Sequence, residues 1–321
     1  MVQTSLYKLK PYVTVLVSSS RHSNNQQPHL IARMTTRSDF SQIAEQMLHD
    51  YDARTPGTPF ADGFRLSISD AYRLQAQVAH LREHRGEHLA GYKIGCVCRG
   101  NQEKNGLTHP VYGRLWSTEQ HATNVSLAMN AFAHLAIEGE LAVSLRHDVD
   151  PRRSSIQEIA EAVDEVYTII ELHNLVLHSD HPTGAELIAN NAIHAGVVYS
   201  NGTRPPETGD CTALSVTLDG SIAEHWVDRR WPDDVLAAVP WLVSELAKEG
   251  HRLKAGQKIL TGAWGPPLPL QRSSSAKTSA LPHKKDNLHE AAQSTESTAV
   301  KWVKVESTLF GVVAASFSCR Q

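Results

Sequence analysis

Along residues 135–145, LAIEGELAVSL, apolar side chains hold the odd positions (Leu135, Ile137, Leu141, Val143, Leu145), while Glu138 and Glu140 hold even ones. A period of two predicts a β-strand, so both carboxylates project from one face, their roots roughly 7 Å apart. Further on, YTIIEL (167–172) and AGVVYS (195–200) read as strands, and 212–227 as a hairpin turning at Asp219-Gly220. GYKIG lies within a strand over Leu89–Cys98, and QKILTG (257–262) and 301–317 are late strands.

Helical spacing appears mainly in the first half. Phe40, Ile43, Ala44, Met47, Leu48 and Tyr51 make one apolar face behind a Ser38 cap. Ser69 is expected to cap a second helix, lined by Ala71, Leu74, Val78 and Leu81. The Pro- and Gly-rich stretch 52–67 and the polar stretch 99–113 read as loops. Ser155-x-x-Glu158 is a capping box, opening a helix that turns Ile156, Ile159, Ala160, Val163 and Val166 inward. Thr183-x-x-Glu186 opens a short helix. Pro232 starts another that runs to about Lys248 before Gly250, with a kink expected at Pro240. Helices come early and strands dominate late, so the class is α+β rather than a doubly wound sheet. No internal repeat is present.

The ends and one insertion stand apart. Before Asp39 there is no acidic residue, whereas Lys8, Lys10, Arg21, Arg33 and Arg37 are basic. Residues 1–36 read either as a transit segment or as the product of an upstream start codon with Met34 the true first residue; the second is preferred. Either way they are excluded from the fold. Cytoplasmic location is expected, or the mitochondrial matrix if the segment is real. Residues 37–321 form one domain with a flexible polar insertion at 271–299, too poor in large apolar residues to order itself.

Composition narrows the function classes. With 41% hydrophobic and 20% charged residues and a formal charge of −3, the chain has no electrostatic signature of a nucleic-acid or membrane partner. No apolar run approaches the roughly 20 residues of a bilayer span. Cys96, Cys98, Cys211 and Cys319 are too scattered for a disulfide framework, and no second pair completes a zinc site with Cys96-x-Cys98.

Two like charges on one strand face repel unless water, a basic partner or a divalent cation intervenes. Ala136, Ala142 and Ser144 share that face and are small, which leaves room for a docked group. Glu171 ends the apolar YTIIEL, where a charge is costly unless used. A set of three carboxylates, Glu138, Glu140 and Glu171, suits a hard ion such as Mg²⁺ or Mn²⁺.

GYKIG (91–95), PVYGRL (110–115), EGELA (138–142), IEL (170–172), LIANNAIHAG (187–196), LTGAWGPPLPL (260–270) and LFGVVAASFS (309–318) occur in the order found in the 2-oxopent-4-enoate hydratase family of the fumarylacetoacetate hydrolase superfamily. The chain resembles that family, which also includes 4-oxalocrotonate decarboxylase, over roughly 38–270 and 300–319. The resemblance implies a mixed β-sandwich or roll with helices packed around it, and a homo-oligomer. It makes Glu138, Glu140 and Glu171 the ligands of Mg²⁺ or Mn²⁺. Lys93, which in isolation would read as a snorkelling surface lysine, becomes a pocket group for the substrate carboxylate or for proton transfer. Thr261 and Gly262 become substrate contacts. The implied reaction is hydration of a 2-hydroxy-2,4-dienoate, through its 2-oxo form, to a 4-hydroxy-2-oxo acid, with the cation as Lewis acid.

Departures from the family pattern concern proton handling. Val111 stands where many hydratases carry an acid, and Ile193 ends an Asn190-Asn191-Ala192-Ile193 run where many read DNAS. A Ser-Arg pair after the third carboxylate is replaced by His173-Asn174. His173 is therefore assigned as a proton carrier, with His109 and His194 as alternatives. Competing readings are an oxalocrotonate-type decarboxylase, an acylpyruvate C–C hydrolase, and a non-catalytic binder of a metal and a 2-oxo acid.

Overall fold

The computed structural model describes residues 40–55, 57–178, 183–270 and 300–318. The expectations for 1–36 and 271–299, the Ser38 cap and Cys319 lie outside the described residues.

The N-terminal helices follow the apolar spacing. α1 (Ser41–Ala53) buries Ala44 and Met47 and closes on Arg54 in the left-handed region. A short α2 (Thr58–Ala61), with proline in its first turn, interrupts the stretch read as loop. α3 (Ile68–His84) is capped by Ser67, not Ser69: the Ser67 hydroxyl accepts from the Asp70 N–H at 3.1 Å, and Asp70 adds its charge to the first turn.

β1 (Leu89–Gly95) stops short of Cys98, because Cys96 takes a positive φ of 53°. α4 (Arg99–Lys104) fills part of the polar stretch expected to be loop, and β2 (Val111–Trp116) follows. Then come β3 (Gln120–Ala122), β4 (Val125–Ala128) and β5 (Leu135–Leu145).

The Ser155–Glu158 capping box is complete, yet α5 (Ile156–Ala162) is shorter than expected. Val163 is already extended and opens β6 (Val163–Asn174), so Val163 and Val166 are buried as strand residues. Spacing alone could not separate the two readings, since the β-branched run simply begins earlier. At α6 (Gly184–Ala189) the Thr183 hydroxyl makes no cap bond and pairs with Asn105 Oδ1 instead.

β7 (His194–Tyr199), β8 (Cys211–Leu218) and β9 (Ser221–Arg230) follow, the last two joined by the expected Asp219-Gly220 turn with both residues at positive φ. Residues 232–238 form turns, and the helix α7 (Val239–Lys248) begins only at Val239. Pro240 thus sits in its first turn, where a missing N–H costs nothing, and causes no kink. β10 (Lys258–Leu260), β11 (Leu268–Pro269), β12 (Val300–Ser307) and β13 (Gly311–Ser318) complete the chain.

The strands form two sheets. One runs β2-β1-β10-β5-β6-β7-β3, with β11 also paired to β5; the other runs β4-β13-β12-β8-β9. Pairing is mixed: β1–β10, β3–β7 and β13–β4 are parallel, the rest antiparallel. The larger sheet curls, because Asn191, just before β7, hydrogen-bonds the backbone of Arg114 on β2 through both its amide atoms (2.7 and 2.9 Å). The result is the expected α+β roll.

Odd positions of β5 (Leu135, Ile137, Leu141, Val143) join Ile170 and Leu172 of β6 against Val216, Val303 and Val305 of the smaller sheet. Gly139 marks the closest approach, since a Cβ there would come within 2.3 Å of Val216 Cγ2. Even positions face the inside of the roll. One end of that interior is filled by Leu115, Ala142, Ile169, Val197, Tyr199 and Leu260. The other end holds the charges. β5 is therefore buried on both faces, and Glu138 and Glu140 are not on a solvated outer side.

Candidate active site

Register brings the acids together. Glu138 and Glu171 are direct partners across the antiparallel β5–β6 pair, and Glu140 lies two residues along the same face of β5. His173 follows Glu171 by two residues on β6 and pairs with His194 across to β7. On the other flank, β1 pairs Lys93 with Leu260 of β10, itself paired with Ala142 of β5. Six polar side chains from four strands thus point into one end of the roll.

Lys93, Glu140, Glu171, His173 and His194 are buried, and only Glu138 keeps partial access to solvent. Lys93 is 3% exposed, which overturns the reading of a surface lysine. Its ammonium lies 3.1 Å from Glu171 Oε1 and donates to the Ala192 carbonyl at 3.4 Å. The other neighbour of Glu171 Oε1 is His194 Nδ1, at 2.8 Å. His173 Nε2 stands 3.0 Å from Glu138 Oε2 and 3.6 Å from Glu171 Oε2. Among the described residues, Glu138, Glu171 and His173 form a trio whose ligand atoms all lie within 4.8 Å of one another.

Glu140 is held differently. Its Oε1 accepts from the Gly262 N–H, while its Oε2 is buried without a partner, as is Glu171 Oε2. Gly262 can present its N–H because its φ is +112° and a Cβ would fall 2.2 Å from Val97 Cγ1. The Thr261 hydroxyl donates to the Leu141 carbonyl at 3.1 Å, within the sheet. The expected substrate contacts at 261 and 262 therefore already serve the strand that carries the acids.

Electrostatics divide the carboxylates. Burial would raise the Glu171 pKa, but Lys93, His173 and His194 outweigh it and hold the carboxyl below its usual range. Burial, joined by the charges of Glu171 and Glu138, pushes Glu140 well up. Burial disfavours the Lys93 cation, yet Glu171, Glu138 and Glu140 more than restore it, and its pKa is raised. Two buried carboxylate oxygens without donors, facing three acids and one ammonium, fit a divalent cation.

The cleft above these groups measures about 360 Å³. Lys93, Glu138 and His173 lie at its floor; Val111, Leu175, Leu187 and Ile193 make apolar walls, and Pro266 and Pro267 lie on the rim side. Val111 and Ile193, read as departures from the family pattern, do line the cleft and contribute no proton carrier there. His109 does not reach it: its ring stacks on Trp241 at 5.8 Å and its Nδ1 lies 2.9 Å from the Pro110 carbonyl.

One site element was missed in the sequence. Asn191, Ala192 and Ile193 all take positive φ (55°, 49° and 55°), making a left-handed turn without glycine. Each such residue costs roughly 1–2 kcal/mol. The turn is held by the Asn191 amide on β2 and packs so closely that a Cβ on Gly113 would sit 2.5 Å from the Asn191 carbonyl oxygen. It aims the Ala192 carbonyl at Lys93 and leads His194 to Glu171. The Asn190-Asn191 pair was the available signal, because asparagine tolerates this region best among non-glycine residues.

No family model matches the chain. A 2-oxo-hept-4-ene-1,7-dioate hydratase of Escherichia coli is 27% identical over 215 residues, covering 64% of this chain and 80% of that protein. A 2-keto-4-pentenoate hydratase of Paraburkholderia xenovorans is 25% identical over 230 residues, covering 70% and 85%. Among solved structures, 4-oxalocrotonate decarboxylase from Pseudomonas putida G7, complexed with magnesium and adipate, is similar at a TM-score of 0.71 and 19% identity, over 89% of this chain and 100% of that one. Fumarylpyruvate hydrolase from Pseudomonas aeruginosa, in complex with Mn²⁺ and pyruvate, gives 0.50 and 12%, over 71% and 89%. At these identities the structural likeness is one of fold.

Proposed function

We propose that this chain, a relative of the 2-keto-4-pentenoate hydratases with the fold of the fumarylacetoacetate hydrolase superfamily, is a hydro-lyase. It adds water to a 2-hydroxy-2,4-dienoate through its 2-oxo form and yields a 4-hydroxy-2-oxo acid. The observation that carries this reading is the meeting of Lys93, Glu138 and His173 at the floor of one cleft, with Glu171 buried directly against them.

Glu138, Glu140 and Glu171 are the acids that hold Mg²⁺ or Mn²⁺, the unpartnered oxygens of Glu140 and Glu171 being the ones free to do so. When bound, the cation polarises the 2-oxo group as a Lewis acid. The protein's own groups do the rest. Lys93, kept charged by its three acids and fixed by the Ala192 carbonyl, binds the substrate carboxylate. Proton movement falls to Lys93, which as an ammonium can donate, or to His173, the nitrogen groups on the floor. Leu175, Leu187, Val111 and Ile193 hold the unsaturated tail and keep bulk water away.

The test is incubation of a purified, cation-supplied sample with 2-hydroxypenta-2,4-dienoate. Loss of the conjugated ultraviolet band with formation of 4-hydroxy-2-oxopentanoate is expected; an unchanged spectrum with both ions would sink the reading. A second reading is favoured by Val111 and Ile193. Walls without a group to activate water suit decarboxylation, which adds none, and CO₂ release from an oxalocrotonate would identify it. The proposal includes self-assembly, supported by Ile222, Trp302 and Val312, which stand 71%, 61% and 44% exposed on the smaller sheet.

A further inference from the structure

The cation site of this chain has a feature that an oxygen-only set lacks. His173 is 1% exposed and inserts its Nε2 between two carboxylates that already face each other across β5 and β6. From the proposed function it follows that a cation sits on this floor. We propose that His173 Nε2 is itself a ligand of that cation. The centre is then a mixed carboxylate–imidazole site, selective for Mn²⁺, Fe²⁺ or Co²⁺ over Mg²⁺.

Geometry supports this first. Neighbouring ligands of an ion with bonds of about 2.1 Å stand about 3 Å apart. The separations of His173 Nε2 from Glu138 Oε2 (3.0 Å) and Glu171 Oε2 (3.6 Å) need little closing to match. Occupancy of the other atoms gives a second argument. Glu171 Oε1 is already taken by Lys93 and His194, so Oε2, buried and without a partner, is the oxygen left to bind. Glu140 Oε1 is tied to the Gly262 N–H, which leaves its Oε2 for the same cation beside the trio of Glu138, Glu171 and His173. The third argument is chemical. Nitrogen ligands suit first-row transition ions, whereas Mg²⁺ favours oxygen and gives up water reluctantly.

One consequence concerns the proton. An Nε2 bound to the ion has none to give, so proton movement at the floor belongs to Lys93.

The test uses the full chain, dialysed against a chelator and reloaded with Mn²⁺. Pulsed electron paramagnetic resonance of the Mn²⁺ protein should show coupling to a ¹⁴N nucleus, and His173→Ser should abolish it. Calorimetric titration should find Mn²⁺ bound at least about tenfold more tightly than Mg²⁺, with the ratio collapsing in the variant. Should the variant fail to fold, the nitrogen coupling in the unaltered protein still decides. Binding of either ion without nitrogen coupling overturns the imidazole ligand and leaves the hydratase reading standing. Failure to bind any divalent ion overturns both.

Discussion

Lys93 answers the charge problem posed by Glu138, Glu140 and Glu171. Three acids converge on one ammonium in a buried space, and its removal takes from Glu171 the largest of the charges that hold its carboxylate ionised. Lys93→Met is therefore expected to cost about 3–5 kcal/mol in the cation-free protein, read by urea unfolding. Added Mn²⁺ should narrow the gap, because it supplies the missing charge. Glu224 offers a pH test. Its Oε1 lies 2.7 Å from where a Cβ on Gly265 would be, and burial, with Glu138 next, pushes its pKa from 4.5 to about 7. Between those values the folded state binds more protons than the unfolded chain, so stability falls as pH rises through the window. Glu224→Gln should flatten that decline in cation-free unfolding curves. Much of this site was legible. A charge inside an apolar strand has few uses, which singled out Glu138, Glu140 and Glu171, and Lys93 in GYKIG followed by resemblance. The Gly262 contact to Glu140 and the turn at 191–193 were not legible, because each depends on backbone dihedrals set by packing against Val97 and β2.

Among the elements, β5 shows why glycine separates its two glutamates. Its even face carries the acids, and its odd face meets the smaller sheet at Gly139. Gly139→Ala would drive a methyl into Val216 Cγ2 and is expected to destabilise by about 1–3 kcal/mol, measured by thermal or urea unfolding. Val216→Ala in the same chain should recover part of the loss. The misread elements share a cause. Ser67 rather than Ser69 caps α3, Val163 belongs to β6 rather than α5, and α7 waits for Val239. In each case two local patterns overlapped, and tertiary packing chose between them. Long, strongly patterned strands such as β5 and the β8–β9 hairpin left no such choice, and their positions matched.

For the molecule as a whole, the smaller sheet closes the core on one face and presents Ile222, Trp302 and Val312 on the other. Sedimentation should give a multiple of the 35.3 kDa chain mass, and Trp302→Lys should lower it. A monomeric unaltered protein would refute assembly through this face. No helix among the described residues is long and apolar enough to cross a membrane. The stitch between Asn191 and β2 has a wider consequence, since it joins the two flanks of the curled sheet directly beside the cleft floor. Parting that seam would break both Asn191–Arg114 hydrogen bonds, so the turn that carries Ile193 and His194 is fixed to β2. The rim of the cleft is formed by Cys96, Val97, Asn101 and Asn105 and by Ala263, Gly265, Pro266 and Pro267. Deuterium uptake should accordingly be slow at Ile193 and His194 and fast along that rim, making the entrance, rather than the floor, the place where this protein breathes.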